Sequence, residues 1–328
     1  MNYRPFGATD LTVSAGGFGC ARLGGVFGAS TKDDMLRTLR TALEQGITFF
    51  DTADMYCQGE SEALLGQAFR PNRQQVIIAT KAGYCLPGQG RLASRLKPLL
   101  RPVVRRLGLK REQLPSGVRG TLAQNFSPTY LLKAVEGSMR RLRTDYVDLF
   151  QLHSPPAAVL ADGAFLAPLE KLKTQGKIRN YGVSCETVED AWLCLRYPGI
   201  SGLQIRLSLL DQRPLDGLVQ QCVQQGIGLI ARECFGGGLL AKAEASPNDG
   251  VPPETEAQAT VRRRVAGYKR LAESQGRSLP ELALQLVLKQ EPITVTLLGM
   301  RTDDHLTGNL RYFAAAPLAP AELQALRG

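Results

Sequence analysis

The sequence has few of the residues that hold small or metal-bound proteins together. Its 328 residues include two histidines, His153 and His305, and one tryptophan. Its seven cysteines are scattered, and no two of them form a Cys-x-x-Cys pair. These features argue against a zinc centre or any other metal site and against a disulfide framework, and they are typical of a protein in a reducing cytoplasm.

Long apolar runs are also missing. No run approaches the roughly 20 residues of a membrane span, and the opening residues MNYRPFGATD lack the apolar stretch of a signal peptide. We therefore expect a cytoplasmic protein with no membrane span. No Pro- or Ser-rich linker divides the chain, so residues 1–328 are predicted to form a single domain.

Short apolar runs rich in β-branched residues alternate with stretches of helical periodicity. The eight strand-like runs are Val13–Cys20, Ile47–Ala53, Val76–Lys81, Tyr146–His153, Ile178–Cys185, Leu203–Ser208, Ile227–Phe235 and Thr294–Gly299. Runs that are apolar on both faces are typical of parallel strands covered by helices. Eight such units predict an α/β fold, a closed (β/α)8 TIM barrel.

Two long stretches interrupt this alternation, 83–126 after the third strand and 236–255 after the seventh. The carboxyl ends of barrel strands form the mouth where active sites lie, so both stretches are predicted to be lids or specificity elements. The first is strongly basic, with nine basic residues and one acidic residue between Tyr84 and Gly120. We therefore expect residues 84–126 to form a basic insertion over the C-terminal face of the barrel.

Polar residues occur where neighbouring strands two, three and four end. Asp51 ends the second strand and Tyr56 follows it, Lys81 ends the third, and His153 ends the fourth. A tyrosine with a pKa near 10 is a poor acid at pH 7, and an adjacent ammonium is expected to lower that pKa. A carboxylate would hold the lysine charged, and the histidine would donate a hydrogen bond to a carbonyl oxygen. These groups predict a site that polarises a C=O group and protonates it, while hydride must come from a cofactor.

These segments resemble the aldo-keto reductases. The resemblance runs nearly end to end outside the two long loops and is carried by FFDTADMYCQGESEALLG, IATK, DYVDLFQLHSP and GKIRNYGVS. It implies a (β/α)8 barrel with a nicotinamide cofactor, usually NADPH, extended across the C-terminal face. It also implies that Asp51, Tyr56, Lys81 and His153 form the catalytic tetrad, with Tyr56 as the proton donor.

The resemblance also implies residues that bind the nicotinamide end of the cofactor. Ser184 and Gln204 match carboxamide partners, and Cys185 occupies the position of a third partner that is asparagine in the family. Arg232 replaces the family's aromatic residue under the ring. Its guanidinium would either stack on the ring and disfavour the oxidised, cationic form, or turn away into an ion pair.

Two further segments resemble the parts of the family that bind phosphate. The residues that resemble the pyrophosphate loop are Phe235, Gly236, Gly238 and Leu239, and those that resemble the clasp around the adenosine 2′-phosphate are Gly299, Arg301, His305 and Asn309. His305 lies where many relatives have arginine, and Gly299 lies where some have lysine. The resemblance therefore implies NADP(H) as the cofactor.

Taken together, the sequence predicts an NADPH-dependent oxidoreductase that reduces a small-molecule aldehyde or ketone. Two alternatives are a cofactor-binding regulatory subunit with slow turnover and an NAD-dependent sugar dehydrogenase. The basic segment Arg91–Arg111 would be a lid that attracts anions, a docking surface for an acidic partner or an anionic membrane surface, or a solvated elaboration of the barrel. Nucleic acid is not favoured, because this segment has no aromatic residue for base stacking.

Overall fold

A computed structural model describes residues 1–24, 30–85, 123–241, 255–300 and 302–326. We number its strands and helices in chain order. The strands are β1 (Tyr3–Pro5), β2 (Thr12–Ser14), β3 (Gly16–Gly19), β4 (Phe49–Asp51), β5 (Ile77–Ala82), β6 (Tyr84–Cys85), β7 (Ala123–Gln124), β8 (Val147–His153), β9 (Ile178–Ser184), β10 (Gly202–Arg206), β11 (Gly228–Arg232) and β12 (Ile293–Gly299). The helices are α1 (Lys32–Glu44), α2 (Glu60–Phe69), α3 (Pro128–Leu142), α4 (Ala157–Asp162), α5 (Leu166–Thr174), α6 (Val188–Cys194), α7 (Leu218–Gln224), α8 (Glu256–Ser274), α9 (Leu279–Leu288), α10 (Asp303–Ala314) and α11 (Pro320–Leu326).

Eight parallel strands close into a barrel in the order β3-β4-β5-β8-β9-β10-β11-β12, and β12 pairs with β3. The predicted (β/α)8 fold is therefore confirmed. Neighbouring strands approach very closely where two glycines face each other, since a Cβ on Gly182 would lie 2.1 Å from the carbonyl oxygen of Gly202. All eight strands end at one face, and this face carries the candidate site.

A short antiparallel hairpin, formed by β1 and β2, packs at the opposite end of the barrel. Its Phe6, Leu11 and Val13 are fully buried with Phe49 and Leu149 of the barrel interior. The first predicted strand, Val13–Cys20, is therefore two strands. Its first residues pair with β1, and only residues 16–19 join the barrel.

Side-chain caps fix where several helices begin. Ser127 accepts a hydrogen bond from the amide of Tyr130 at the start of α3. Thr187 and Asp190 form a capping box at the start of α6. Glycine in a left-handed conformation follows several helices, such as Gly176 after α5 (φ 69°), because a residue without a Cβ adopts this conformation easily.

The insertion after the third barrel strand begins and returns at the mouth. Strand β6 pairs antiparallel with β7, so that Tyr84 lies opposite Gln124. Residues 86–122, with the basic segment Arg91–Arg111, lie outside the described residues, as do 242–254 of the second long loop. Within the described ranges, no helix is long and apolar enough to cross a membrane, and no group of three His, Cys, Asp or Glu side chains forms a metal site.

Candidate active site

The four side chains of the predicted tetrad meet at the mouth of the barrel. The Lys81 ammonium nitrogen lies 2.6 Å from Oδ2 of Asp51 and 5.2 Å from the centre of the Tyr56 ring. The Tyr56 ring meets the His153 ring edge to face, with 5.6 Å between centroids. Strands β4, β5 and β8 are neighbours in the barrel, so their carboxyl ends bring these residues together.

A tight turn after β4 carries Tyr56 back to the barrel mouth. The amide of Asp54 donates to the carbonyl of Lys81 at 3.0 Å, and the amide of Tyr56 donates to the carbonyl of Ala53 at 3.1 Å. Cys57 and Gln58 then adopt left-handed conformations, with φ of 49° and 61°. Such conformations are uncommon for residues with a Cβ, so the backbone carries strain directly beside Tyr56.

Lys81 is buried and fully engaged. Its ammonium donates to Asp51 and also to the carbonyl of Thr52 at 2.9 Å. Burial alone would lower the pKa of Lys81, but the attraction of Asp51 and of Tyr56 raises it above its ordinary value. Lys81 is therefore a fixed positive charge at neutral pH.

The pKa of Tyr56 departs from the sequence prediction. Burial raises it, and the charge of Lys81 lowers it by less, so the pKa of Tyr56 lies above its ordinary value of 10. The predicted net lowering is wrong because a sequence does not reveal how deeply a side chain is buried. The consequence is that the phenol keeps its proton at neutral pH and has one to give.

His153 is neutral at pH 7. Burial, Lys81 and Arg232 all lower its pKa well below its ordinary value. Tyr84, which sequence reasoning missed, also packs edge to face with His153, with 4.9 Å between the ring centroids. The sequence does place this aromatic residue three positions after Lys81, just beyond the end of a barrel strand, and that position could have indicated a residue of the site.

A hydrogen-bond chain joins two predicted carboxamide residues to the tetrad. The Ser184 hydroxyl donates to Oε1 of Gln204 at 2.8 Å, and Nε2 of Gln204 donates to Oδ1 of Asp51 at 3.0 Å. Gln151, also missed, donates weakly to the same oxygen at 3.4 Å. The residues predicted to bind the nicotinamide carboxamide therefore form one hydrogen-bond network with the Asp51–Lys81 pair.

Cys185 presents its main chain to this region. Its thiol is buried against α6, 4.0 Å from the thiol of Cys194. Its carbonyl oxygen accepts a hydrogen bond from Arg232 at 2.9 Å. The side chain therefore does not take the direction that a carboxamide partner would need, although the residue lies at the predicted strand end.

Arg232 forms ion pairs, as one of the two sequence alternatives predicts. Its guanidinium pairs with Glu186 at 3.2 Å and with Glu233. Arg206 pairs with the same two carboxylates. We call Glu186, Arg206, Arg232 and Glu233 the rim cluster. Sequence reasoning missed three of these residues, because their pairing depends on how adjacent strand ends align.

The mouth fits a nicotinamide dinucleotide. Gly236, Gly237 and Gly238 have φ of 56°, 66° and 100°, and a Cβ on either of the last two would meet no atom within 4 Å, which leaves room for a phosphate beside the backbone. Phe235 is half-buried, whereas Leu239 is exposed. Two buried nitrogen atoms, Nδ1 of His153 and Nε of Arg232, have no hydrogen-bond partner within the described part of the chain. A bound ligand would supply such partners.

Three of the four residues predicted to bind the 2′-phosphate lie at β12 and α10. Gly299 ends β12 and is exposed, while His305 is exposed and Asn309 is buried on α10. Asp303, at the start of α10, is tied to α1 by Arg37 and by the Thr38 hydroxyl. Arg301 lies outside the described residues.

Comparison with known proteins agrees with this geometry. The Aldo/keto reductase family matches residues 17–328. An uncharacterized oxidoreductase of Bacillus subtilis is 28% identical across 100% of this chain and 96% of its own length, and the NADH-specific methylglyoxal reductase of Escherichia coli is 27% identical across 94% and 93%. The holo form of an aldo-keto reductase from Bacillus halodurans has a TM-score of 0.78 and 29% identity, covering 100% of this chain and 95% of that one. The chain therefore belongs to the aldo-keto reductase family, whose oxidoreductases use nicotinamide cofactors.

Proposed function

We propose that this protein reduces an aldehyde or ketone to an alcohol with NADPH, and that Tyr56 supplies the proton. One observation carries the proposal: a buried Lys81 lies between the Asp51 carboxylate and the Tyr56 ring, with His153 against the same ring. A phenol that keeps its proton at neutral pH, next to a fixed ammonium, is suited to protonate a developing alkoxide.

The four residues have separate tasks in this proposal. The neutral His153 donates a hydrogen bond to the carbonyl oxygen and orients it. The carbonyl carbon would receive hydride from a nicotinamide bound at the mouth. Tyr56 gives its hydroxyl proton to the oxygen, so the C=O bond gains one hydride and one proton. Lys81 then stabilises the phenolate that remains, and Asp51 keeps the ammonium in place.

Other residues would hold the cofactor. Ser184 and Gln204 would bind the nicotinamide carboxamide. Their hydrogen bonds to each other and to Asp51 would then couple the position of the ring to the tetrad. The backbone of Gly236–Gly238 would face the pyrophosphate. Arg301, His305 and Asn309 would bind the 2′-phosphate, and this contact is the basis for proposing NADPH rather than NADH.

The experiment is a turnover screen of aldehydes and ketones, anionic ones included, with NADPH and NADH compared in parallel. We expect reduction with higher kcat/KM for NADPH. Tyr56→Phe should lower kcat about 10²–10⁴-fold, because it removes the proton donor and leaves the pocket in place. Its Kd for NADPH, measured by cofactor fluorescence, should stay within about twofold of the wild type.

A matched control is Tyr146→Phe. Tyr146 lies just before β8, at the amino end of the barrel, where Arg73 stacks on its ring. This variant should keep wild-type turnover. Wild-type turnover by Tyr56→Phe would refute the proton-donor assignment. A preference for NADH, as the name of the Escherichia coli relative states for that protein, would overturn the NADPH assignment alone.

A further inference from the structure

The carboxylate of Glu186 links the ends of four consecutive barrel strands. Glu186 follows β9, and it accepts hydrogen bonds from Arg206 at the end of β10 and from Arg232 at the end of β11. It also accepts from the Ser154 hydroxyl at 3.3 Å, directly after His153 of β8. Although its side chain is 47% exposed, Glu186 is thus the central residue of the cluster.

The charges of the rim cluster cancel. Two guanidinium groups face two carboxylates, since Glu233 pairs with Arg232 and lies 3.3 Å from Nε of Arg206. Without Glu186, the remaining three residues would carry a net charge of +1. Of the two arginines, Arg232 is the less exposed, with 15% of its side chain exposed against 41% for Arg206, so its charge is the less screened by solvent.

The cluster borders the predicted position of the nicotinamide ring. Arg232 donates to the carbonyl oxygen of Cys185, the residue after Ser184. Its charge also reaches the tetrad, because it lowers the pKa of His153 and partly offsets the raised pKa of Tyr56. A net charge in the cluster would therefore act on a group bound between Ser184 and Tyr56.

We infer that Glu186 sets the relative affinity of this protein for oxidised and reduced cofactor by bringing the net charge of the rim cluster, which includes Arg232, to zero. The inference rests on the proposed function. The oxidised nicotinamide ring is cationic and the reduced ring is neutral, so an uncompensated guanidinium would repel only the oxidised form. With Glu186 in place, the arginine that replaces an aromatic residue imposes no such penalty.

The test is a pair of binding measurements on the full chain. The Kd for NADPH is measured from cofactor fluorescence, and the Kd for NADP⁺ from displacement of NADPH. Glu186→Gln should weaken NADP⁺ binding by about threefold to tenfold and change NADPH binding by less than about twofold. The ratio of the two Kd values reports charge, whereas a general disturbance of the site would weaken both cofactors.

Three further variants separate charge from structure. Glu186→Asp keeps the charge and should keep the wild-type ratio. Arg206→Gln removes one positive charge and should shift the ratio in favour of NADP⁺, and the double variant Arg206→Gln/Glu186→Gln should restore it. Glu136→Gln is the control, because Glu136 also pairs with a cation, Lys177, but at the amino end of β9.

Each result of these binding measurements either supports or overturns the inference about Glu186. Equal weakening of both cofactors by Glu186→Gln, or no change, overturns the inference, and so does a double variant that fails to restore the ratio. If Glu186→Gln does not fold, Arg206→Gln alone still decides, since an unshifted ratio is incompatible with charge control. A wild type that binds neither cofactor refutes the proposed function instead.

Discussion

Asp54 lies two residues before Tyr56 and has an unusual environment for a carboxyl group. Tyr130 donates to its Oδ2 at 3.3 Å, while its Oδ1 is buried without a partner within the described part of the chain. Burial and the nearby Glu62 carboxylate raise the pKa of Asp54 to about 7, although Arg141 acts in the opposite direction. Asp54 is therefore partly protonated near neutral pH, unlike an ordinary aspartate.

This shift makes stability depend on pH in a defined direction. In the unfolded chain Asp54 loses its proton near pH 4, but in the folded chain it keeps it until about pH 7. Between these values the folded state binds more protons, so the Asp54 contribution to the free energy of unfolding falls as pH rises. Asp54→Asn removes this loss.

We therefore expect Asp54→Asn to change the free energy of unfolding, relative to the wild type, in a pH-dependent way. The change should be more favourable at pH 8 than at pH 5 by about 1–3 kcal/mol. The asparagine carbonyl can still accept from Tyr130, so the local geometry should persist. Urea unfolding at both pH values, followed by circular dichroism, measures the difference. A gain that is the same at pH 5 and pH 8 would contradict the raised pKa.

Helices α2 and α3 pack with almost no space between their backbones at one point. A Cβ on Gly66 of α2 would lie 2.5 Å from the carbonyl oxygen of Leu142, the last residue of α3. The three nearest atoms all belong to the backbone of Arg141 and Leu142, so the backbones themselves would have to move. Gly66 thus sets the distance between the helices that cover β4 and β5.

Two glycine substitutions test this packing. Gly66→Ala should lower the free energy of unfolding by about 1–3 kcal/mol, because the added methyl group forces the helices apart. Gly267→Ala, in the middle of α8 where a Cβ meets nothing within 4 Å, should instead raise it by about 0.5–1 kcal/mol. Urea unfolding measures both, and effects of the same sign would contradict this account of Gly66.

The elements that the sequence predicts are those with long, periodic patterns. All eight barrel strands occur where apolar runs predict them, and Asp51, Lys81 and His153 meet because the ends of neighbouring parallel strands lie at one face. Tyr56 reaches them through the turn after β4. Strands β6 and β7 have two residues each, too few for a pattern. The contacts of the rim cluster and of Asp54 depend on burial and on loops that pack against each other, which spacing along the chain does not record.

Most of the net charge of +10 comes from one stretch of the sequence, Tyr84–Gly120, which has nine basic residues and one acidic residue. The basic segment Arg91–Arg111 lies outside the described residues, but both strands that flank the insertion are held at the mouth, since Tyr84 packs against His153 and Gln124 donates to the carbonyl of Ser154 at 2.8 Å. A positive field there would concentrate anionic ligands by long-range attraction.

We expect replacement of Arg101, Arg105 and Arg106 by glutamine to raise KM for an anionic carbonyl substrate. The effect should be larger at low salt, because ions screen charges over about 10 Å at 0.1 M. The control replaces three exposed cations on the helices beside the barrel, Lys133, Arg140 and Lys171, with the same change in net charge. An equal rise in KM in the control, or no rise in either variant, would show that the charge of the basic segment does not attract the substrate.

The pairing of β6 with β7 also bears on how this chain can change over evolution. Tyr84 lies opposite Gln124 and Cys85 lies opposite Ala123, so the two ends of the insertion are already held side by side. Adding or deleting residues between them alters the free energy of folding mainly through loop-closure entropy, which grows only slowly with length. Changes in length can therefore accumulate between these two strands at a small cost in folding free energy while the barrel register stays fixed, and the protein can acquire new surface there without altering its core.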